Sequence, residues 1–311
     1  MIEAPSVDAL MAGGLEQWLQ SQTALREDAK AKVRQRTIVS LAVATVLFVL
    51  IFALFGFGPA AFAAVMVGGA GQLWVAAART PVVNAIKQEM NQRIAAAMGC
   101  SFSHLAAPGP EFGLACTFEM LPSYDREAFE DQWQGEVAGQ PFDLYEAHLE
   151  EWRGSGKHRR LETVFRGVIM TVGFARDFHG STLIEREGNH MTLFGLRDSI
   201  TIEGAKLERV KMVDPRFEDD FTVWSTDQVE ARYLVHPAYV ERLIAIEQGF
   251  SGQKVRALFH GGKLVIALEA RDQFESGSLD AENDRVRMAK TIEQIAALAN
   301  LAIALNERPR G

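Results

Sequence analysis

Residues 37–78 read TIVSLAVATVLFVLIFALFGFGPAAFAAVMVGGAGQLWVAAA, a run without a single Asp, Glu, Lys or Arg. A helix that crosses the hydrocarbon core of a bilayer needs about 20 apolar residues at 1.5 Å each. The run supplies two, 37–57 and 59–78. Between them Gly56-Phe57-Gly58-Pro59 interrupts helical geometry, and no charge obstructs a tight turn. The segment predicts a two-helix transmembrane hairpin. A cleaved signal peptide has a short basic region and a short apolar one, whereas 36 residues precede this run. A buried hairpin in a water-soluble protein would need an unusually large core.

The flanks set the orientation. Lys30, Lys32, Arg34 and Arg36 precede the first span, and Arg79, Lys87 and Arg93 follow the second. The connecting turn has no basic residue, so the positive-inside rule predicts both termini and the main domain in the cytoplasm. Trp74 falls where an indole anchors at the interface. Ala60, Ala64 and Gly68 recur every four residues, either as part of a generic Ala-rich span or as a stripe for close approach. That approach would be to the first helix or, by self-association, to a second copy. Gln72 is near enough to the helix end to reach headgroups, so it does not mark a transport path.

Outward from the hairpin, 1–36 is expected to be an N-terminal cytoplasmic helix, formed from about residue 15 and continuing into the first span. Residues 79–99 form a juxtamembrane helix beginning at Pro81, with Val82, Ile86, Met90, Ile94 and Met98 on one face. This face is expected to pack on the N-terminal helix, because it lacks the basic and aromatic partners of an interfacial helix. Residues 100–311 are expected to be an α+β domain, a mixed and mainly antiparallel sheet with packed helices.

Within that domain, Ser123 is positioned to cap a helix through Trp133, with Phe129 and Trp133 on one side. Residues 142–152 and 161–174 read as strands joined by Arg153-Gly-Ser-Gly-Lys-His158. Residues 181–186 and 190–193 read as a hairpin around Gly188-Asn189. Residues 206–213 and 221–225 are further strands, and 255–260 and 263–269 form the clearest pair, turning at Gly261-Gly262. Asp227 caps 228–233, with Glu230 placed for a capping box. Pro237 opens a helix stopped by Gly249, and a last helix covers 281–306.

The chain of 311 residues carries a formal charge of −8, which argues against a phosphate backbone as partner, so no nucleic acid is expected. Its two cysteines, Cys100 and Cys116, fit no CxxC or zinc spacing and read as reduced thiols.

Three stretches, TVFRGVIMTVGFARDFHGST (163–182), DPRFEDDFTVWSTDQVEARYLVHPAYVERLIAI (214–246) and KVRALFHGGKLVIALEARDQFE (254–275), resemble the bacterial family called domain of unknown function 3137. Asp227-Gln-Val-Glu-Ala-Arg-Tyr233 is the most specific piece, and the resemblance covers about 100–275. It implies a protein of the bacterial inner membrane, with apolar spans ahead of the domain and LemA-like membrane proteins as possible partners. It implies no activity and transfers no functional residue.

The chain shows no Walker loop, GxSxG, HExxH or GxGxxG. Asp177 and His179 stand together in RDFHGST and would share a strand face, either as a strand end entering the turn at Gly180 or as a base–acid or metal-ligand pair. Glu218, Asp219 and Asp220 form an acidic loop, solvated or cation-binding, without calcium-loop spacing. Arg232 is a candidate for a ligand carboxylate, or a solvated helix residue; Trp224 and Tyr233 are expected in the core. No cofactor is expected. The leading functional expectation is a membrane-anchored binding, scaffolding or envelope-sensing protein that is not an enzyme. The alternative is a metal-dependent hydrolase using the Asp/His cluster and acidic loop.

Overall fold

In the computed structural model the charge-free run forms two long helices, α3 (Thr23–Phe55) and α4 (Phe57–Ala97), separated by Gly56 alone. Two short helices, α1 (Val7–Leu10) and α2 (Glu16–Ser21), precede them on either side of a kink within Met11–Leu15, where Gly13 and Gly14 leave helical geometry and Gly14 has φ 92°. The structure describes residues 4–137, 139–174, 178–186, 191–192, 195–196, 198–212, 220–235 and 237–306. By its internal contacts the chain divides into two units: Ser6–Arg93 with Glu275–Ala289, and Ile94–Phe274 with Met1–Pro5 and Lys290–Gly311.

In the helical unit, α3 and α4 span 33 and 41 residues, about 50 and 60 Å at 1.5 Å per residue, so both exceed the ~30 Å of a hydrocarbon core. None of the most apolar window of α3 is buried. Val65 and Leu73 of α4 are 72% and 76% exposed. The two helices touch where a Cβ on Gly71 would come within 2.7 Å of Ser40, so only glycine fits there. Arg36 ties them again, donating from Nη1 to the Trp74 carbonyl at 2.6 Å and stacking over the indole at 5.2 Å. Of the expected small-residue stripe, Ala60 is fully buried, while a Cβ at Gly68 would meet open space.

The second span and the juxtamembrane segment are one helix, because α4 runs through Pro81 without ending. Proline in a helix interior costs roughly 3 kcal/mol. Burial of Ile86 and Met90, both 0% exposed, returns about 1.5–3 kcal/mol each, enough to carry the helix past the lost hydrogen bond. The face bearing them receives residues 275–278: Lys87 pairs with Glu275, and Ser276 Oγ donates to Asn91 Oδ1 at 2.7 Å. Deeper still, Arg26 of α3 forms a two-pronged bridge to Asp284, with side chains 2% and 3% exposed.

The second unit is built on β1 (Cys100–Leu105), β2 (Arg126–Val137), β3 (Gln140–Arg153), β4 (Arg160–Gly173), β5 (Thr182–Arg186), β8 (Ser199–Ile202), β9 (Ala205–Arg209), β10 (Phe221–Ser225), β11 (Gln253–His260) and β12 (Lys263–Glu269). Among the described residues they form one antiparallel sheet in the order β1-β2-β3-β4-β12-β11-β5-β10-β9-β8. One face carries Tyr145, Phe165, Ile169, Leu183, Trp224 and Val265, closed by Phe112 and Ala115 of α5 (Glu111–Thr117). Alternation along the strands sends Leu144, Met170, Ile184 and Phe259 to the other face, where all are buried. There Tyr239 of α7 (Pro237–Gly249) packs on Phe259 at 5.3 Å, and α8 (Asp284–Asn306) brings Ile295 and Leu298 beside Met170 and Val172. This is the α+β class expected, and the turn of β11 into β12 uses positive φ at Gly261 and Gly262 as expected.

Two expectations fail here. Residues 123–133 contain no helix; 126–137 are strand β2. Phe129 pairs with Ala147 and Trp133 with Leu144, so β2 holds one more residue than β3 between these rungs, a bulge with Asp131 at φ 57°. The extra residue sends Phe129 and Trp133 to opposite faces. Phe129 meets Phe112 and Tyr145, and Trp133 meets Phe102 and Phe274. A four-residue spacing that mimicked one helix face is thus a bulged strand serving two cores. Nor does β5 form a hairpin with the next strand in sequence. It lies between β10 and β11, while β6 (Met191–Thr192) pairs with β7 (Gly195–Leu196) in a separate ribbon. A strand buried on both faces and flanked by partners on both edges has no edge left for its neighbour in sequence.

Candidate functional site

At one end of the central strands, the loop before β5, the start of α6 (Gln228–Leu234) and the β11–β12 turn converge. Asp227 caps α6, its carboxylate accepting from the amides of Val229 and Glu230 at 2.9 and 3.0 Å. Glu230 does not close a capping box. The Asp227 amide donates instead to Ser225 Oγ at 3.0 Å. The freed Glu230 carboxylate accepts from the amides of His179 and Gly180, at 3.0 and 2.8 Å. A Cβ at position 180 would stand 2.8 Å from that carboxylate and 3.0 Å from Thr226 Oγ1, so a side chain there would displace the Glu230 carboxylate. Next in the loop, the Ser181 amide donates to Thr226 Oγ1 at 2.9 Å, and Ser181 Oγ lies 2.8 Å from His260 Nδ1. Phe118 packs on the His260 ring at 5.3 Å between centroids.

Ser181 and His260 therefore stand at nucleophile–base distance, a pairing that nothing in their local sequence announces. Two further features weigh against catalysis. Ser181 is buried, and the adjacent amides that would stabilise an oxyanion are taken by Glu230. The cluster acts as a clamp: Asp227 fixes the helix start, and Glu230 holds the 178–181 loop against it.

The other sequence candidates are dispersed. His179 is exposed and enters the clamp through its backbone. Asp220 lies at the far end of β10, about 17 Å away by strand length, and pairs with Arg186 at 3.2 Å. Arg186 also holds Glu247 and stacks on Phe221 at 4.4 Å. Arg232 is exposed, donating to the Lys211 carbonyl at 3.3 Å. Asp177, Glu218 and Asp219 lie outside the described residues. Trp224 is core, donating from Nε1 to Glu185 at 2.9 Å, but Tyr233 is 57% exposed.

Sequence reasoning missed one group of carboxylates. Glu130, Glu146 and Asp272 bring oxygens within 4.8 Å of one another. The arrangement has the donor type for a hard cation, yet Glu146 accepts from the Gln273 amide at 3.1 Å and Asp272 is ion-paired to Arg166. Nearby, an open cleft of about 410 Å³ is lined by Arg166, Ser251, Gln253, Glu269 and Arg271. Between the sheet and α8 a small cavity of about 20 Å³ holds no more than a water-sized group; Met98, Cys100, Phe142 and Leu298 line it. Burial pushes the Cys100 thiol up to about 11. Cys100 and Cys116 are both free thiols.

Fold and site together define an antiparallel α+β domain in a chain that also carries two helices long and apolar enough to cross a membrane. Residues 163–307 match the family described as protein of unknown function (DUF3137). The match begins at β4, later than the resemblance had placed it, and runs through α8. The crystal structure of the mycobacterial trehalose monomycolate transport factor A, TtfA, is similar at 8% identity and TM-score 0.37, over 73% of this chain and 98% of that one. That is too low to define a shared fold. No curated protein matches the sequence.

Proposed function

We propose that this is a membrane-anchored binding module of a bacterial inner membrane, with the α3–α4 hairpin spanning the bilayer and both termini and the sheet domain in the cytoplasm. The observation that carries the reading is the exposed apolar surface of α3 and α4, concentrated in a stretch without formal charge that is flanked on both sides by basic residues. An apolar surface of that extent is unusual on a soluble monomer and is the normal state of a lipid-facing one. Below the spans, the chain closes on its own stalk through Arg26–Asp284 and Lys87–Glu275, which suits a platform that holds a docking domain at the bilayer. The clamp at Glu230 supports binding over catalysis, since its amides are already occupied. LemA-like membrane proteins, or a second copy of the chain, are the proposed partners. Photo-crosslinkers placed on the sheet domain, followed by pull-down from solubilised membranes, are expected to capture one specific protein in register with the crosslinker position. Uniform background from every position would remove the docking role.

A further inference from the structure

Strands β3 and β4 outrun their neighbours. The last rung of β2 on β3 is Arg126 with Glu150, and the last rung of β12 on β4 is Glu269 with Gly167. Beyond them, among the described residues, the only strand pairing of β3 and β4 is with each other, up to Arg153 opposite Arg160, so that they end in a two-stranded finger whose base is flanked by residues 123–125. Its tip, Arg153-Gly-Ser-Gly-Lys-His-Arg-Arg160, carries four formal positive charges in a chain of net charge −8. Arg153 and Arg160 are compensated by Glu151 and Glu162. Arg159 makes no ion pair among the described residues. Arg159 instead stacks over Trp152 at 5.0 Å, and this indole is 43% exposed although large. Its backbone is fixed, because the Trp152 amide donates to Asp125 Oδ2 at 2.8 Å. Across the ladder Trp152 faces Leu161, which gives the finger a small apolar flank beside its cations.

We infer that this finger docks on the surface of an anionic bilayer, with Trp152 at headgroup level and the tip cations against lipid phosphates. The inference rests on the membrane anchor proposed above. An amphipathic indole beside a cluster of cations is the composition that interfaces favour, and an anchored chain holds the finger at high effective concentration over the same lipid. An acidic protein would satisfy the charge but gives no reason for a rigidly presented indole.

The test uses the full chain in lipid nanodiscs, either zwitterionic or with one third anionic phospholipid, read by hydrogen exchange across 150–162. In anionic discs the tip amides should exchange more slowly by on the order of tenfold, an effect abolished by high salt, by Trp152→Ala and by Lys157→Gln with Arg159→Gln. Equal exchange in both discs overturns the finger proposal while leaving the anchor intact. So does protection that appears with soluble polyglutamate but not with anionic lipid. A chain that fails to enter discs at all overturns the anchor itself. Exchange at β11 and β12 reports that each variant is folded.

Discussion

Replacing Arg26 by Met removes one half of a buried ion pair and leaves the other in place. Arg26 donates to both Asp284 oxygens, at 2.8 and 3.0 Å, and the two side chains are 2% and 3% exposed. Breaking such a pair from one side costs about 3–5 kcal/mol, because the surviving carboxylate loses its hydrogen-bonded partner out of reach of water and keeps only the weaker pull of Arg287. At 1.36 kcal/mol per decade that is two to four orders of magnitude in the opening equilibrium of the α3–α8 contact. Amide exchange at 284–290, measured on the detergent-solubilised chain, should accelerate accordingly. Pairing Arg26→Met with Asp284→Leu should restore most of the protection, since an apolar pair of similar volume replaces a desolvated one. Burial pushes the Asp284 carboxyl above its ordinary 3.8, against the pull of Arg26. Without the guanidinium it rises further. A carboxyl raised in the folded state favours folding below its unfolded pKa and loses that contribution as pH climbs through the folded value. The Arg26→Met defect should therefore be smaller near pH 5 than near pH 8. Exchange within threefold of the parent at both pH values would refute the claim that this pair holds the stalk together.

Glu230→Gln keeps an acceptor but loses the charge and one of two amide bonds. It should cost about 1–3 kcal/mol and raise exchange at residues 179–181 more than in β11. Cys100, whose thiol is pushed up to about 11, should alkylate slowly at pH 8, where only about a thousandth is thiolate. Its rate should climb roughly tenfold per pH unit toward 11, and stability should fall over the range from about 9 to 11 as the buried thiol ionises. Trp133→Ala, which empties a fully buried site between Phe102 and Phe274, should cost about 3–5 kcal/mol in a thermal melt, well above Trp152→Ala.

The parts legible in the sequence were those with a local cause. The uncharged run 37–78 needs no partner to be read, nor does Gly261-Gly262 between two apolar runs or Asp227 ahead of Gln-Val-Glu. What escaped depends on distant or irregular contacts. The bulge at Asp131 turns a strand's two-residue period into a spacing that imitates a helix. β5 is buried along most of its length because it is interior, which hides its pairing partners. Glu230 sits where a capping box would use it, yet the amides it meets are 50 and 51 positions away. Arg26 and Asp284 are 258 positions apart, and neither lies in a pattern that anticipates the other.

The hairpin topology is open to a direct measurement. In a background with Cys100 and Cys116 replaced by Ser, Gly58→Cys places a thiol at the turn, where a Cβ meets no neighbour, and Ser21→Cys places one ahead of α3. A membrane-impermeant maleimide applied to intact bacterial cells should label Gly58→Cys alone, and Ser21→Cys only after permeabilisation. Labelling of Ser21→Cys in intact cells, or release of the chain from membranes by alkaline carbonate, would contradict a bilayer-spanning hairpin with its ends inside.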